Sequence, residues 1–232
     1  MRYQGGKDKL AKKISEEILS KYVNSKTTFV EPFIGGLNIS RRVAVLLKPK
    51  RMILSDVNED LIALYIAFSE GWRPPFSISE KQYFNLRRRP TSPLRTFTGF
   101  CCSWGGKWWG GYARDGKRNF ASEGRRNLEK TFSDLSSVKD LVFLAKDYQD
   151  LVLPKQSVCY CDPPYEYTTG YPFSFNHDLF WDFMSSLSRK HKVLVSSYAA
   201  REGWECVWSS AHFDGLGKKN KRTERIFSKE KE

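Results

Sequence analysis

Two short apolar runs, each followed by an amphipathic stretch, constrain the fold of this chain more than any other feature. TTFVEPF (residues 27–33) and RMILSD (residues 51–56) read as short buried strands. Helical spacing follows each of them, up to about residue 48 and over residues 58–68. Because parallel strands need a crossover connection, which is usually a helix, this βαβα order predicts a parallel sheet.

The same alternation returns after a break in the pattern. The sequence predicts further helices at residues 8–22 and 178–190. It predicts further strands at residues 141–148, 157–162 and 192–198. ECVWSS and the RTERIF segment are predicted to form a closing antiparallel pair. Residues 72–132 are rich in Arg, Gly and Trp and lack a clean period. The sequence therefore predicts an α/β, Rossmann-like sheet with helices on both faces, formed by residues 1–71 and 138–232, and a small inserted domain at residues 72–137.

Positive charge is concentrated in two segments of the chain, whose formal net charge is +13. Residues 84–130 contain eleven Lys/Arg and three Asp/Glu, a net +8, and residues 218–232 contain seven and three, a net +4. Basic residues interleaved with Phe, Trp and Tyr suit a polyanion with aromatic faces. Nucleic acid is therefore the predicted partner, and a solvated surface that keeps the protein soluble is the alternative.

Cysteine and histidine patterns give no sign of a metal site. None of the five Cys forms a CxxC pair and only three His are present, so no structural zinc is expected. The odd number of Cys fits a reducing compartment. The N-terminal MRYQGGKDKL has no apolar signal core, and no apolar run approaches membrane length. A cytoplasmic protein without a membrane partner is expected.

Two neighbouring strand ends carry the features of a nucleotide-like site. The first, FVEPFIGG (residues 29–36), ends in two glycines that let a cofactor approach the backbone, although a plain tight turn is the alternative. Asp56 ends the next strand, twenty residues beyond Gly36. An acid at this place takes ribose hydroxyls in α/β folds, and a helix N-cap is its alternative role. Gly35, Gly36 and Asp56 are candidate cofactor ligands.

YQGGK (residues 3–7) offers a second candidate segment directly before a predicted helix. Gly5 and Gly6 allow the backbone to embrace a carboxylate, Lys7 supplies positive charge and Tyr3 offers a stacking or hydrogen-bonding face. A loose N-terminal turn explains the same residues, and spacing alone leaves the two interpretations open.

The string DPPY (residues 162–165) follows the strand SVCYC and predicts chemistry on an aromatic amine. Such an amine is a poor nucleophile because its lone pair is delocalised into the ring. The Asp162 carboxylate and the Pro163 carbonyl would each accept one N–H and stabilise the charge that develops on nitrogen, while Pro163 and Pro164 fix the backbone. Tyr165 would stack on the base, which must leave the duplex to enter such a pocket. A proline-stiffened turn is the alternative.

Together, these segments resemble the motifs of adenine-specific DNA methyltransferases of the Dam-like α group, which depend on S-adenosylmethionine. YQGGK is similar to the N-terminal cofactor motif, LSDVNEDLI to the segment with the ribose-binding acid, and DPPY to the catalytic motif. FVEPFIGG, with Glu31 and Phe33, is similar to the methionine-contacting motif. The resemblance also implies that Asp147 and Tyr148 hold the adenine of the cofactor. The segments that carry the resemblance span residues 1–70 and 140–198.

The insertion is implied to be the target-recognition domain, although it does not reproduce the pattern associated with GATC-reading members. Its segment SWGGKWWGGYARDGKRNF (103–120) predicts a ribbon or loop that enters a DNA groove. One of Trp108 and Trp109 is expected to be core and the other to contact DNA. The full set of candidate DNA-contacting residues is Arg87, Arg88, Arg89, Lys107, Trp108, Trp109, Tyr112, Arg114, Lys117 and Arg118.

The expected activity is methyl transfer from S-adenosylmethionine to N6 of a flipped adenine in double-stranded DNA, without a metal or a covalent enzyme intermediate. N4-cytosine methylation, RNA methylation and a catalytically silent DNA-binding or decoy protein remain alternatives. Asp162 favours adenine, since N4-cytosine enzymes more often carry Ser at that position. A monomer or weak dimer on DNA is expected, in the cytoplasm of a bacterial or phage-infected cell.

Overall fold

A seven-stranded mixed sheet organises the chain in the computed structural model, which describes residues 1, 3, 6–166, 175–213 and 221–230. The strand order is β3-β2-β1-β4-β5-β7-β6. β1 to β5 are parallel, and β7 runs antiparallel to both β5 and β6. The strands are β1 (Thr28–Glu31), β2 (Arg51–Asp56), β3 (Asp140–Ala145), β4 (Val158–Cys161), β5 (Lys192–Ser197), β6 (Glu205–Phe213) and β7 (Lys221–Ser228).

Helices connect the parallel strands and continue through the central segment. They are α1 (Asp8–Glu17), α2 (Asn38–Leu47), α3 (Glu59–Ser69), α4 (Glu80–Arg87), α5 (Pro93–Cys101), α6 (Phe120–Leu135) and α7 (His177–Ser188). The predicted α/β class is confirmed, as are the strands, the closing antiparallel pair and the N-cap Asn58, whose side chain accepts a hydrogen bond from the Leu61 amide at 3.1 Å. No helix in the described ranges is long and apolar enough to cross a membrane.

Alternation of side chains along the strands builds a core on each face of the sheet. Phe29, Met52 and Leu194 contribute to one core, which also contains apolar residues of α1, α2 and α3. Val30 and Val193 point to the other face, where they join Phe180, Trp181 and Met184 of α7. The predicted layers on both faces are therefore present.

The central segment, expected to be irregular, contains three helices with polar N-caps. Ser79 and Gln82 form a capping box at α4, Ser92 caps α5 ahead of Pro93, and Asn119 caps α6. The first two helices are short, so their apolar spacing is weak in the sequence. Buried residues of α5 and α6 share one continuous core with α2 and α3. A separate domain at residues 72–137 stays a prediction.

The strand order reverses beside β1, and this reversal locates the site. The chain runs outward from β1 to β2 and β3 and then returns to place β4 on the other side of β1. In open α/β sheets a crevice forms outside the carboxyl ends of strands at such a switch point. The four strands β3, β2, β1 and β4 each end in or are followed closely by an acid, namely Asp147, Asp56, Glu31 and Asp162.

Candidate active site

A cavity of about 350 Å³ opens at the switch point. Every predicted motif contributes to its wall, because their residues all follow the carboxyl ends of neighbouring strands or lie in the N-terminal segment beside them. The predicted residues that line it are Tyr3, Gly6, Lys7, Glu31, Phe33, Gly35, Gly36, Asp56, Asp147, Tyr148, Asp162 and Pro164. Gly5 lies outside the described residues, and Pro163 is buried.

The glycine turn after β1 is held by hydrogen bonds and covered by an aromatic ring. Gly35 has φ of +42°, a conformation that favours glycine. Its amide donates to Asp56 Oδ2 at 3.0 Å and its carbonyl accepts from the Tyr65 hydroxyl at 2.6 Å. A Cβ atom at Gly35 or Gly36 would lie 3.0 Å from the Tyr3 side chain. The glycines thus allow the close approach of Tyr3, one of the predicted cofactor contacts.

Asp56 joins the glycine turn to the start of α3. Its Oδ1 accepts a hydrogen bond from the Asn58 amide at 3.0 Å, while its Oδ2 accepts from Gly35. Burial raises the pKa of this carboxyl group, and the two backbone hydrogen bonds oppose that rise. Because Asn58 is the N-cap of α3, the alternative N-cap role does not fall to Asp56. Its position in the cavity wall leaves the predicted ribose contact as its candidate role.

Glu31 is an acid in an unusually enclosed position. It is 2% exposed and accepts a hydrogen bond from Ser40 Oγ at 2.5 Å. Burial raises the pKa of the Glu31 carboxyl well above its usual range, and the Ser40 hydrogen bond opposes this only in part. In its protonated form, such a carboxyl group can both donate and accept a hydrogen bond at the cavity wall.

Aromatic side chains form one part of the cavity wall. Phe33 and Tyr148 have ring centroids 5.6 Å apart, and Phe175, which the sequence did not single out, lies 5.9 Å from Phe33. Asp147 lies beside them and accepts a hydrogen bond from the Gln149 amide at 3.0 Å. Aromatic rings beside an acceptor oxygen suit a heteroaromatic ligand.

The Asp162 carboxylate lies at the end of β4 in a network of charged groups. Lys7 Nζ is 3.1 Å from Asp162 Oδ1 and 3.2 Å from Glu224 Oε2. The Tyr165 hydroxyl contacts both Lys7 and Glu224, and Ser196 donates to Glu224 Oε1 at 2.7 Å. Lys7 and Glu224 are 8% and 4% exposed, respectively, whereas Asp162 is 20% exposed and reaches the cavity.

Glu224 is a site residue that the sequence analysis missed. It lies on β7, whose inward positions alternate as Glu224, Ile226 and Ser228, all buried. A charged residue on the buried side of a strand needs a partner, because an unpaired charge in the interior is costly. The alternation in RTERIF is thus the sequence signal that points to Glu224, once the strand and its buried side are known.

Both the hydroxyl and the ring of Tyr165 contact other side chains of the protein. Its hydroxyl is held by the Lys7–Glu224 network and lies 3.1 Å from Ser196 Oγ. Its ring packs edge-on against Tyr198, with centroids 4.6 Å apart. Stacking of Tyr165 on a base, and acceptance of an amine N–H by the Pro163 carbonyl, stay predictions.

Burial gives Asp162 a pKa suited to a reversible proton acceptor. Burial raises this pKa, Lys7 lowers it and the like charge of Glu224 raises it, with the result near 6. Burial also lowers the pKa of Lys7, but the Asp162 and Glu224 carboxylates outweigh that effect and raise it. At neutral pH the site therefore contains one ammonium group and a mainly ionised Asp162.

We expect methyl transfer to fall as the pH decreases through about 6, because only the ionised carboxylate of Asp162 can stabilise positive charge on the amine nitrogen and take up its proton. Because the pKa of Asp162 is raised, the rate should fall at a higher pH than it would with an ordinary Asp side chain. The acid limb, which is the low-pH side of the pH–rate profile, therefore lies well above pH 4. Single-turnover rates measured from pH 5 to 8 at saturating ligands give the limb directly. A rate that stays constant down to pH 5 would contradict this assignment.

The aromatic residues of the insertion are divided between core and surface. Trp109 is 7% exposed and packs on Tyr83, with centroids 4.8 Å apart. Trp108 is half-buried against Phe100, and the half-buried Tyr112 donates its hydroxyl to the Ile78 carbonyl at 2.7 Å. Trp109 therefore takes the core role that was predicted for one of the two tryptophans.

Trp104 is the aromatic residue that the sequence analysis overlooked. It is 61% exposed. It lies on a loop closed by a bridge between Ser103 and Tyr112, where Gly105 and Gly106 have φ of +64° and +72°. The loop agrees with the expected ribbon or loop, and its glycines present Trp104 outward.

The basic candidates of the insertion fall into two groups. Arg114 pairs with Glu80, and Arg118 Nη2 lies 2.6 Å from Glu123 Oε2. Arg87, Arg88 and Arg89, at the end of α4, are exposed, as are Lys107 and Lys117. Arg114 and Arg118 therefore also tie the loop to α4 and α6, whereas the three consecutive arginines form the more available positive surface.

The fold and the cavity define a class of protein: the sheet order, the glycine turn and the acid-bearing strand ends are those of a Rossmann-like α/β fold with a cavity at its switch point. Residues 3–90 match the D12 class N6 adenine-specific DNA methyltransferase family, which agrees with the predicted resemblance over this part of the chain. The matched range contains the YQGGK, FVEPFIGG and LSDVNEDLI segments and ends before DPPY. No curated protein sequence matches the chain significantly.

Three solved structures with a similar fold are distant in sequence. The rRNA methyltransferase AviRa from Streptomyces viridochromogenes has 14% identity and a TM-score of 0.47 over 97% of this chain and 86% of that one. An rRNA methylase from Streptococcus thermophilus has 8% identity and a TM-score of 0.44 over 94% and 95%. A Streptococcus mutans protein, SMU.1697c, solved in complex with SAH, has 8% identity and a TM-score of 0.43 over 93% and 96%.

Proposed function

We propose that the chain methylates the exocyclic N6 of an adenine that is extruded from duplex DNA. The observation that carries the proposal is the position of Asp162, which lines the same cavity as Gly35 and Asp56 and is ionisable near neutral pH. A reactive amine bound to Asp162 therefore lies beside the cofactor site predicted from the other motifs.

The cavity residues fit S-adenosylmethionine. The volume of about 350 Å³ lies in the range of sites that enclose a small organic ligand. The Phe33–Tyr148 wall suits its adenine, Asp56 its ribose hydroxyls, and Glu31 with the glycine turn its methionine end. When bound, S-adenosylmethionine supplies an electrophilic methyl group on a sulfonium ion, and methyl transfer leaves a neutral thioether.

The residues after β4 act on the amine of the target base. Asp162 accepts one N–H and the Pro163 carbonyl the other, so nitrogen is drawn toward tetrahedral geometry and its lone pair becomes available. Charge that develops on nitrogen is stabilised by the nearby carboxylate. One proton leaves the nitrogen after the N–C bond has formed, and Asp162 is placed to take it up.

The chemistry of the cavity favours an amine over a ring carbon as the target. Methylation of cytosine C5 requires a nucleophile that attacks the ring, usually a thiolate. Four of the five Cys are buried, Cys206 is on β6, and none is among the described residues that line the cavity. Direct transfer to nitrogen needs no such group, and the acid of DPPY favours N6 of adenine over N4 of cytosine.

Incubation with unmethylated genomic DNA and S-adenosylmethionine, followed by nucleoside mass spectrometry and sequencing of modified bases, tests the proposal. N6-methyladenine at a defined sequence is the expected result. Detection of N4-methylcytosine, or methylation of RNA alone, would contradict the proposed activity and support one of the rival activities. Retained DNA binding without binding of S-adenosylmethionine would instead identify a silent binding protein.

The arginine cluster at the end of α4 is proposed to contact DNA phosphates. Replacement of Arg87, Arg88 and Arg89 by Gln should weaken DNA binding and lower the slope of log K against log salt by about 2 to 3, since each phosphate contact contributes about 0.9. The measurement is fluorescence anisotropy on a labelled duplex at several salt concentrations.

A matched control removes three exposed lysines from the opposite edge of the sheet. Lys26, Lys50 and Lys155 precede β1, β2 and β4, away from the cavity edge. Their replacement by Gln makes the same change in net charge and should alter the salt slope little. If both triple variants behave alike, the effect comes from net charge and the α4 surface is not the interface.

A further inference from the structure

We propose that Glu224 is a positioning residue for Asp162: it shares the Lys7 ammonium group and thereby keeps Asp162 able to take up the proton that the methylated amine releases. This inference rests on the proposed function. It gives a role to a buried acid that lies outside the cavity and outside every motif found in the sequence.

The geometry places one cation between two carboxylates. Lys7 Nζ lies almost equidistant from Asp162 Oδ1 and Glu224 Oε2, at 3.1 and 3.2 Å. It therefore donates to both, while a carboxylate has about four lone-pair sites. Asp162 thus retains the capacity to accept an amine N–H while it is paired with Lys7.

The sharing of the Lys7 ammonium group between Asp162 and Glu224 changes how readily Asp162 accepts a proton. Paired with Lys7 alone, the Asp162 carboxylate would be stabilised in its charged form and would be a weak proton acceptor. Glu224 takes part of the Lys7 charge and also repels the negative charge of Asp162. When a proton moves from nitrogen to Asp162, the charge of Asp162 goes from −1 to 0, the nitrogen becomes neutral, and Lys7 remains paired with Glu224. Water then receives the proton.

The remaining hydrogen bonds of Glu224 do not explain why an acid is present. Ser196 donates to Glu224 Oε1 at 2.7 Å, and the Tyr165 hydroxyl contacts the same oxygen. An amide oxygen would accept these hydrogen bonds as well. Among the contacts of the described residues, only the pairing with Lys7 requires negative charge at this position.

Other ionisable groups near Asp162 come from several elements. The groups that face or influence it are Lys7 from the segment before α1, Glu31 from β1, Tyr160 and Cys161 from β4, Tyr165 beyond β4, and Glu224 from β7. Burial raises the pKa values of Glu31, Tyr160, Cys161 and Tyr165 well above their usual ranges. Among the described residues, Lys7 and Glu224 have the largest effects on the pKa of Asp162 after burial itself.

The test compares Glu224→Gln with wild type in single-turnover methyl transfer as a function of pH. Loss of the like charge should move the acid limb to lower pH by about one unit and reduce the plateau rate by about three- to tenfold. Lys7→Met should move the limb in the opposite direction, and Glu224→Asp should restore it toward wild type. Affinity of Glu224→Gln for S-adenosylmethionine should be unchanged, since Glu224 does not line the cavity.

Ser196→Ala is the matched control, because it removes a hydrogen bond to Glu224 without a change in charge. It should leave the acid limb in place. If Glu224→Gln lowers the rate without moving the limb, or if Ser196→Ala moves it equally, Glu224 is only a structural residue and the proposal is overturned.

A second measurement distinguishes a failure of the Glu224–Asp162 coupling from a failure of the proposed methyltransferase activity. The protonation of Asp162 can be followed directly by ¹³C NMR of Asp-labelled protein, with the signal assigned through Asp162→Asn. A lower midpoint in Glu224→Gln supports the coupling even if no nucleic acid is methylated, in which case the proposed function alone fails. An unchanged midpoint contradicts the coupling whatever the activity.

Discussion

Replacement of Asp162 by alanine is expected to reduce methyl transfer by about 10²- to 10³-fold while DNA binding remains close to wild type. Removal of one preorganised group that stabilises developing charge typically costs this much in rate. The folded state should tolerate the change, because Lys7 stays paired with Glu224 at 3.2 Å and no buried charge is left alone.

The measurement is single-turnover methylation together with duplex binding by anisotropy. Asp162→Asn, which keeps the size and an acceptor oxygen but loses the charge, should show an intermediate loss of rate. Asp182→Ala removes an exposed carboxylate from α7 and serves as the matched control, with activity close to wild type. Equal loss of methylation and DNA binding in Asp162→Ala would show that Asp162 supports the fold or the interface rather than the chemistry.

Replacement of Asp56 by alanine is expected to weaken binding of S-adenosylmethionine by about 10²-fold. A hydrogen bond to a charged group contributes about 1.5–3 kcal/mol, and the loss of its ribose contact falls in that range. The same change leaves the Gly35 and Asn58 amides without the acceptor that holds the glycine turn. Both effects weaken the cofactor site, so the thermal stability should decrease as well.

Isothermal titration with S-adenosylmethionine and with adenosine separates the two contributions. A lost ribose contact weakens both ligands by the same factor, whereas a displaced glycine turn weakens the methionine-bearing ligand more. Asp150→Ala, which removes an exposed acid near the same edge of the sheet, is the control and should bind both ligands normally. Unchanged affinity in Asp56→Ala would leave Asp56 with only its role in the turn.

The parts of the site that are local in sequence were predictable. Gly35, Asp56 and Asp162 follow strands whose buried character is evident from the sequence, and parallel strands bring their carboxyl ends to one edge. The order of the strands and the right-handed crossovers then leave few ways to arrange these residues. The cavity wall accordingly contains residues from all the predicted motifs.

The parts that depend on distant strand pairing or on loop geometry were not predictable. Glu224 reaches Lys7 only because β7 inserts between β5 and β6, a register that no local pattern specifies. Similarly, the exposure of Trp104 and the burial of Trp109 depend on glycines with positive φ, which permit several loop conformations. The helices α4 and α5 are short, so tertiary packing rather than periodicity determines them.

The position of β7 has a consequence for the order in which the protein can become active. β6 is made before β7 but joins the sheet only through β7, so a nascent chain that ends after β6 has no neighbouring strand on which to dock it. In such a chain Lys7 and Tyr165 also lack Glu224. Strand β7 therefore completes the sheet and the charge network together, and a chain truncated before β7 is expected to lack methyl transfer.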